Sequence, residues 1–332
     1  MIRHLVDAEH PSPLIVAAAA DVIRRGGLVV FPTETVYGLG ADALSERAVL
    51  GIFAAKGRPS YNPIIAHVAS VEQALTLVTV WPASAARLAA HFWPGPLTLV
   101  LPRAPHVPLA LTAGRDTVAI RMPAHPVALA LIAAAARPIA APSANRFTEV
   151  SPTTADHVAH GLGERVDMIL DGGAATVGIE STVVDISGEH AVLLRPGTLS
   201  RVEIERVFGA PLRDPAPATH ATEARRSPGM IDRHYAPHAQ VALVAPADVS
   251  TAIAQEAAAG QRVGAIVIVA GAEGATHLQR LPADALGYAR ALYAALHAVD
   301  AAACDVVCIE LPPDGPEWAG VNDRLRRAAH SK

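Results

Sequence analysis

The sequence predicts an α/β protein in two parts, a larger domain on a sheet of mixed direction followed by a small doubly wound one. Three observations predict it. Up to about residue 209, apolar strand-like runs and amphipathic helical runs follow one another without strict βα alternation. From Ala210 to about His238 the chain turns polar and Ala/Thr-rich and carries Pro211, Pro215, Pro217, Pro228 and Pro237, which marks a linker. Beyond it, residues 241–244, 263–269 and 305–311 read as near-continuous apolar strands, with helical patterns at 248–259, 284–299 and 320–329; that alternation fits a parallel sheet buried on both faces. The expected divisions are residues 1–209, a linker over 210–239, and a second domain over 240–332.

Each element has its own warrant. Residues 14–25 (LIVAAAADVIRR) have helical periodicity and meet Gly26 and Gly27, which stop a helix. The run LVVF at 28–31 ends at Pro32 and reads as a buried strand. Thr33 and Thr35 follow two apart, so in an extended chain their hydroxyls share a side. YGLG at 37–40 reads as a glycine-punctuated turn, and 45–55 as a helix. The loop KGRPSYNP at 56–63 cannot be a helix interior because of its prolines. Helices are expected at 71–79, 83–92, 126–136, 153–160 and 202–208, and strands at 97–101, 117–121, 166–170, 181–186 and 191–194. Alternation in TVAIR puts Thr117, Ala119 and Arg121 on one face. PIAAPSAN at 138–145 is a short buried strand that breaks into a polar loop. Inside the linker, SPGMIDRHYAPH at 227–238 holds a Met, an Ile and a Tyr that a free linker does not need, so this segment is expected to dock.

Composition narrows the function. With 27 basic and 31 acidic residues the formal charge is −4, the pI is near 6.4 and aromatics make up 4%, which argues against a broad nucleic-acid surface. The two cysteines, Cys304 and Cys308, offer neither a disulfide framework nor zinc spacing. The first residues lack an apolar core followed by a cleavage site, and the longest apolar runs are too short to cross a bilayer. A cytoplasmic protein is the expectation. The second domain lacks GxGxxG and a P-loop, so its fold alone assigns it no ligand.

The sharpest functional signal is compositional. Lys56 and Lys332 are the only lysines, and asparagine occurs only at Asn62, Asn145 and Asn322. Against that bias, a Lys and an Asn in one proline-stiffened loop point to a site, because an ammonium is a compact charge that Arg does not imitate. Lys56-x-Arg58 and Ser143-x-Asn145 share an i, i+2 spacing, so each pair is expected to project from one side of an extended loop. Arg121, Ser181 and Arg195 lie at or beside strand ends. Cations, hydroxyls and amides with no carboxylate between them suit an anionic ligand such as a triphosphate. Taken singly, each residue has a plainer reading: an Arg is more often a surface residue, Ser143 would serve equally as a turn cap, and His67 is more often a core histidine. His234 and His238 are four apart, but Pro237 excludes the helix a metal pair would need; no metal site of protein side chains alone is expected. There is no GxSxG elbow, and Glu34 in PTET fits a general base or a structural acceptor.

The motifs PTETVYGLG, KGRPSYNPI, APSAN followed by SPTTA, GIESTVVD and LLRPG occur in that order. Together they resemble the YrdC-like threonylcarbamoyl-AMP synthase family, and SPGMIDRHYAPH followed by an α/β domain resembles its long, two-domain form. The resemblance implies a twisted mixed sheet with a concave active-site face, a linker folding over that site, and a small Rossmann-like C-terminal domain. It implies condensation of L-threonine, bicarbonate or CO2, and ATP (with Mg2+) into threonylcarbamoyl-AMP and pyrophosphate, the product passing to a tRNA-modifying transferase complex. By motif, Lys56, Arg58, Ser143 and Asn145 match the catalytic tetrad. Thr35, His67, Arg121, Ser181 and the Ala141 backbone match the threonine site. Arg58, Asn62, Thr117, Ser143, Ser151, Arg195 and Tyr235 match ATP contacts. Thr148 departs from the family, where Gly is frequent, at a position expected to touch no matched contact. Two other classes compete with this reading: an RNA-binding module, and a regulatory protein that binds a nucleotide without turnover.

Overall fold

A computed structural model of the protein describes residues 1–215 and 234–330. Ten strands make the first sheet: β1 (Ile2–Leu5), β2 (Val29–Phe31), β3 (Gly38–Asp42), β4 (Ala66–His67), β5 (Leu97–Pro102), β6 (Thr117–Arg121), β7 (Ile139–Ala140), β8 (Met168–Asp171), β9 (Thr182–Asp185) and β10 (Val192–Arg195). They lie in the order β1-β8-β2-β3-β7-β4-β6-β5-β9-β10. Pairings such as β4/β6 and β5/β9 are parallel, while β2/β3 and β5/β6 are antiparallel, so the sheet is of mixed direction. Alternation along β2 explains its continuous apolar run: Val30 joins one core, Val29 and Phe31 another. The second of these cores takes Ala19, Ala20 and Ile23 from helix Pro13–Arg24, and Val127, Ala128 and Leu131 from helix Pro126–Ala135.

The glycine-punctuated segment YGLG is not a turn. It leads into β3, antiparallel to β2. A Cβ on Gly40 would stand 2.7 Å from Phe31 Cε1 and 2.9 Å from Ile139 Cγ2, so the glycine makes room for the side chains of neighbouring strands. The two-residue β4 and the exposed edge strand β1 escape a periodicity reading because neither is long or apolar enough to register one. The helix expected at 71–79 is shorter, Val71–Leu75.

The second domain carries β11 (Gln240–Val244), β12 (Val263–Val267), β13 (His277–Arg280) and β14 (Val306–Glu310), all parallel in the order β11-β14-β12-β13. Helices Val249–Ala258, Ala285–Ala301 and Ala319–Ala328 complete it. β13 was not legible because its polar residues alternate on an exposed sheet edge.

The domains share a core. Val36, Val150 and Ile179 of the first pack with Tyr288, Leu292, Tyr293, Val321 and Leu325 of the second. Glycines allow the close approach. A Cβ on Gly178 would be 2.4 Å from Ala289 O, and one on Gly320 would be 2.4 Å from Gly197 O. Residues 227–233 of the expected docking segment lie outside the described residues. Tyr235 and Ala236 do dock: Tyr235 is buried, and Ala236 N donates to Thr148 O at 3.0 Å.

Candidate active site

Strand ends and the loops after them carry polar side chains to one cavity. The register of β4 on β6 sets His67 beside Arg121. Thr33 and Thr35 follow β2, Ala141 and Ser143 follow β7, Ser181 precedes β9, Arg195 ends β10, and all reach the cavity, as do Arg58 and Tyr235.

At one end, Arg121 Nη1 donates to Thr35 Oγ1 at 2.9 Å and Nε to Gly95 O at 3.1 Å. Thr33 and Thr35 hydroxyls are 2.8 Å apart, on the shared side that their spacing predicts. Arg121 Nη2 lies 2.7 Å from Glu34 Oε1, yet the angle is not that of a hydrogen bond, and neither Nη2 nor the Glu34 carboxylate oxygens have a hydrogen-bond partner. Glu34 is therefore placed as the counter-ion of Arg121. His67 is buried with Nδ1 unpartnered; burial, then the charge of Arg121, push it down to about 3, so the imidazole is neutral.

At the other end, Lys56 is the last residue of helix Glu46–Lys56, which Ser45 caps at its start and Gly57, with φ 63°, closes in the left-handed region. The spacing Lys56-x-Arg58 therefore straddles a helix end, not an extended loop, and the two side chains diverge. Lys56 Nζ donates to Ser143 O at 2.6 Å and to Asn145 O, with Asn145 Oδ1 at 3.4 Å. Arg58 folds onto the carbonyls of Asn62 and Pro63 at 3.2 and 2.8 Å. Burial, then Arg58, hold Lys56 well below its ordinary range, and burial pushes Arg58 down to about 9. Arg195 donates from Nη2 to Ser181 Oγ and from Nε to Ser181 O, both at 3.1 Å, and Thr98 shares the Ser181 hydroxyl at 2.8 Å.

Thr35, Arg58, His67, Arg121, Ala141, Ser143, Ser181, Arg195 and Tyr235 thus line one cavity. Lys56 and Asn145 stand one layer behind, on the backbone of the Ser143 loop. Ser151 is also buried behind it and donates to Glu180 Oε1 at 2.5 Å. Asn62 is buried with both amide atoms unpartnered. Thr117 does not join the lining; it is half-buried at the far end of β6 from Arg121, opposite Pro102.

One further expectation needs correction. The nest is not carboxylate-free: Glu34 pairs with Arg121, and Glu180 lines the cavity. Buried guanidiniums need counter-charge, and the first domain supplies it from residues adjacent to the quoted motifs' hydroxyls. Thr148 touches no matched contact itself but holds the residue beside one. Its φ is 71°, which explains why glycine suits the position, and its carbonyl holds Ala236, next to Tyr235. Three residues were missed. His234 was considered only as a metal ligand, yet it lines the cavity, held well below its ordinary range by burial and then by Arg58. Tyr293 and Arg324 come from the second domain, and in the sequence both look like ordinary members of amphipathic helices.

Buried cations, a neutral imidazole and paired hydroxyls gather in one cavity on a mixed α/β sheet, a charge pattern that suits a small anionic ligand. The family model described as "Telomere recombination" (Sua5, YciO and YrdC) matches residues 21–197, and that described as "Threonylcarbamoyl-AMP synthase, C-terminal domain" matches 199–330. The chain belongs to this Sua5/YciO/YrdC family, in the two-domain form of the threonylcarbamoyl-AMP synthases. It is 47% identical over 317 residues to the threonylcarbamoyl-AMP synthase of Pyrococcus abyssi, covering 94% of this chain and 93% of that one. The Bacillus subtilis threonylcarbamoyl-AMP synthase is 42% identical over 321 residues, covering 95% and 92%. The crystal structure of P. abyssi Sua5 complexed with L-threonine superposes with a TM-score of 0.94 at 44% identity, over 99% of this chain and 98% of that one.

Proposed function

We propose that this protein is an L-threonylcarbamoyladenylate synthase, a nucleotidyltransferase that condenses L-threonine, bicarbonate or CO2, and ATP into threonylcarbamoyl-AMP with release of pyrophosphate. One observation carries the reading: a buried arginine bound to a threonine hydroxyl and flanked by a neutral imidazole shares a cavity with Arg58 and Arg195. The Arg121 end suits an amino acid's α-carboxylate, with Thr35, His67, Ser181 and the Ala141 backbone around its side chain and amine. The Arg58 and Arg195 end suits a polyphosphate, with Ser143, Ser151, Asn62 and Tyr235 as further nucleotide contacts.

In this reading the neutral amine of threonine attacks CO2. An N–C bond forms, the ammonium proton leaves to solvent, and an N-carboxylate results. Its oxygen attacks the α-phosphorus in line; the new O–P bond forms as the bond to the β-phosphate breaks, and pyrophosphate departs with the electron pair. No side chain acts as nucleophile. Arg58 and Arg195 oppose the charge that develops on the phosphoryl oxygens, and Lys56 fixes the Ser143–Asn145 backbone that frames them. Among the described residues no group of three His, Cys, Asp or Glu is placed to hold a metal. Mg2+ would enter with the nucleotide substrate and draw charge from the leaving pyrophosphate. Tyr235 would cover the nucleotide and exclude water from a labile mixed anhydride. The product would pass, in the cytoplasm, to a transferase complex that modifies an adenosine beside the anticodon of tRNA. The decisive experiment measures pyrophosphate release from ATP: dependence on both threonine and bicarbonate is expected, and release without them, or none, sinks the reading in favour of an RNA-binding or nucleotide-sensing module.

A further inference from the structure

The second domain sends Arg324 and Tyr293 to the back of Glu180 and Tyr235, two residues that line the cavity. Arg324, in helix Ala319–Ala328, is 1% exposed. It donates from Nε to Glu180 Oε2 at 2.9 Å, from Nη2 to Glu180 O at 3.1 Å, and from Nη1 to Pro196 O at 2.8 Å and Asp323 Oδ2 at 2.9 Å. Tyr293 OH donates to the same Glu180 Oε2 at 2.9 Å. The Tyr235 ring completes the assembly, with the Arg324 guanidinium carbon 5.2 Å from its centroid and the Tyr293 ring stacked at 5.8 Å.

A buried ion pair is poor cement between domains, since well-packed apolar residues hold at least as well without desolvating two charges. The location of this one suggests a different use. Glu180 is the only carboxylate in the cavity lining among the described residues. Burial pushes it up, but the charges of Arg324 and then Arg195, with its hydrogen bonds, outweigh burial and keep it ionised. A negative charge at that wall opposes a polyphosphate unless a cation of its own cancels it.

We propose that Arg324 is a positioning residue for the nucleotide: as the counter-ion of Glu180 and the platform for the Tyr235 ring, it removes a repulsive charge from the phosphate end of the site, so that the second domain completes the active site. This rests on the proposed function in assigning that end to ATP. Glu180 in turn accepts the Ser151 hydroxyl, so the group that carries the charge also anchors a side chain behind the cavity, and the charge is cancelled from outside.

The test measures ATP and threonine affinities by calorimetry on the full chain, with pyrophosphate release followed separately. Arg324→Gln is expected to weaken ATP binding by about tenfold or more while threonine binding stays within about twofold. Glu180→Gln combined with Arg324→Gln, which removes both charges and keeps hydrogen-bonding shape, is expected to bring ATP affinity back to within about threefold of wild type. Unchanged ATP affinity in Arg324→Gln, equal weakening of both ligands, or a double variant no better than the single one overturns the proposal. Should Arg324→Gln fail to melt cooperatively, the double variant decides alone, restored ATP affinity supporting the proposal and a tenfold loss refuting it. A wild-type chain that binds ATP but releases no pyrophosphate refutes the proposed reaction and leaves the Arg324 measurement standing; one that does not bind ATP refutes both.

Discussion

Arg121 is tied to Thr35, Gly95 and Glu34 on three sides, and replacing it separates its roles. Arg121→Gln keeps a hydrogen-bond donor but strips the charge from a buried site, so threonine KM should rise by about 100-fold, with ATP KM far less affected. Initial-rate pyrophosphate assays with each substrate varied would check it, and equal effects on both substrates would remove Arg121 from the threonine end. Lys56→Ala leaves the Ser143 and Asn145 carbonyls without their donor; turnover should fall by about 100-fold or more, since it removes the brace behind the reacting groups. Lys56→Arg should do no better, because a planar fork does not fit where a compact ammonium bridges two carbonyls. The importance of Lys56 was legible from its rarity alone. What it does was not, because the i, i+2 pattern says nothing about a helix ending between the two residues.

At the scale of elements, helix Ala155–Gly161 meets helix Ala285–Ala301 through His157 and His297, whose rings stack at 3.8 Å and 19°. Burial lowers His157, and burial followed by the facing His157 lowers His297 to about 3. The folded pKa lies below the unfolded value of 6.5, so protons favour the unfolded chain. The stability contributed is fully present above about pH 6.5 and is lost as pH falls from there towards 3. At pH 5 the loss from His297 alone is about 2 kcal/mol. Melting curves at pH 7, 6 and 5 should show a fall that His297→Gln reduces. A fall of the same size in that variant would assign the acid sensitivity to other buried histidines, such as His67. A second prediction concerns Thr148, which sits in the left-handed region while holding Ala236. Thr148→Gly should be neutral or stabilising by up to about 1 kcal/mol, because relieved strain offsets the added chain entropy; a clear loss in a denaturant titration would show that the strain is not there. Most helices and the longer strands could be read from period and caps. β3 could not, because its glycines follow from the girth of Phe31 and Ile139 on neighbouring strands, and no local window contains that information.

For the molecule as a whole, the seam between domains matters more than either sheet. Gly320→Ala would drive a Cβ to 2.4 Å from Gly197 O, where only backbone can yield. It should destabilise the protein by about 1–3 kcal/mol and weaken ATP binding with it, because the same helix carries Arg324. Loss of stability with intact ATP affinity would uncouple the seam from the site. Two domains and a linker were legible in composition, and the first domain's half of the site in its motifs. The second domain's contribution was not. Arg324 stands among Arg326 and Arg327 in a helix that reads as solvated, and only the packing of that helix on Gly197 turns one of the three inward.

The amine of Lys56, buried and held on the carbonyls of Ser143 and Asn145, also makes the chain its own reporter. With Lys332 as the sole other lysine, an amine-selective acylating reagent has almost nowhere else to react. The amine meets reagent only when the site opens, so the rate at which such a reagent tags this position would time how often the pocket breathes, with and without its ligands, in the native sequence and without any engineered label.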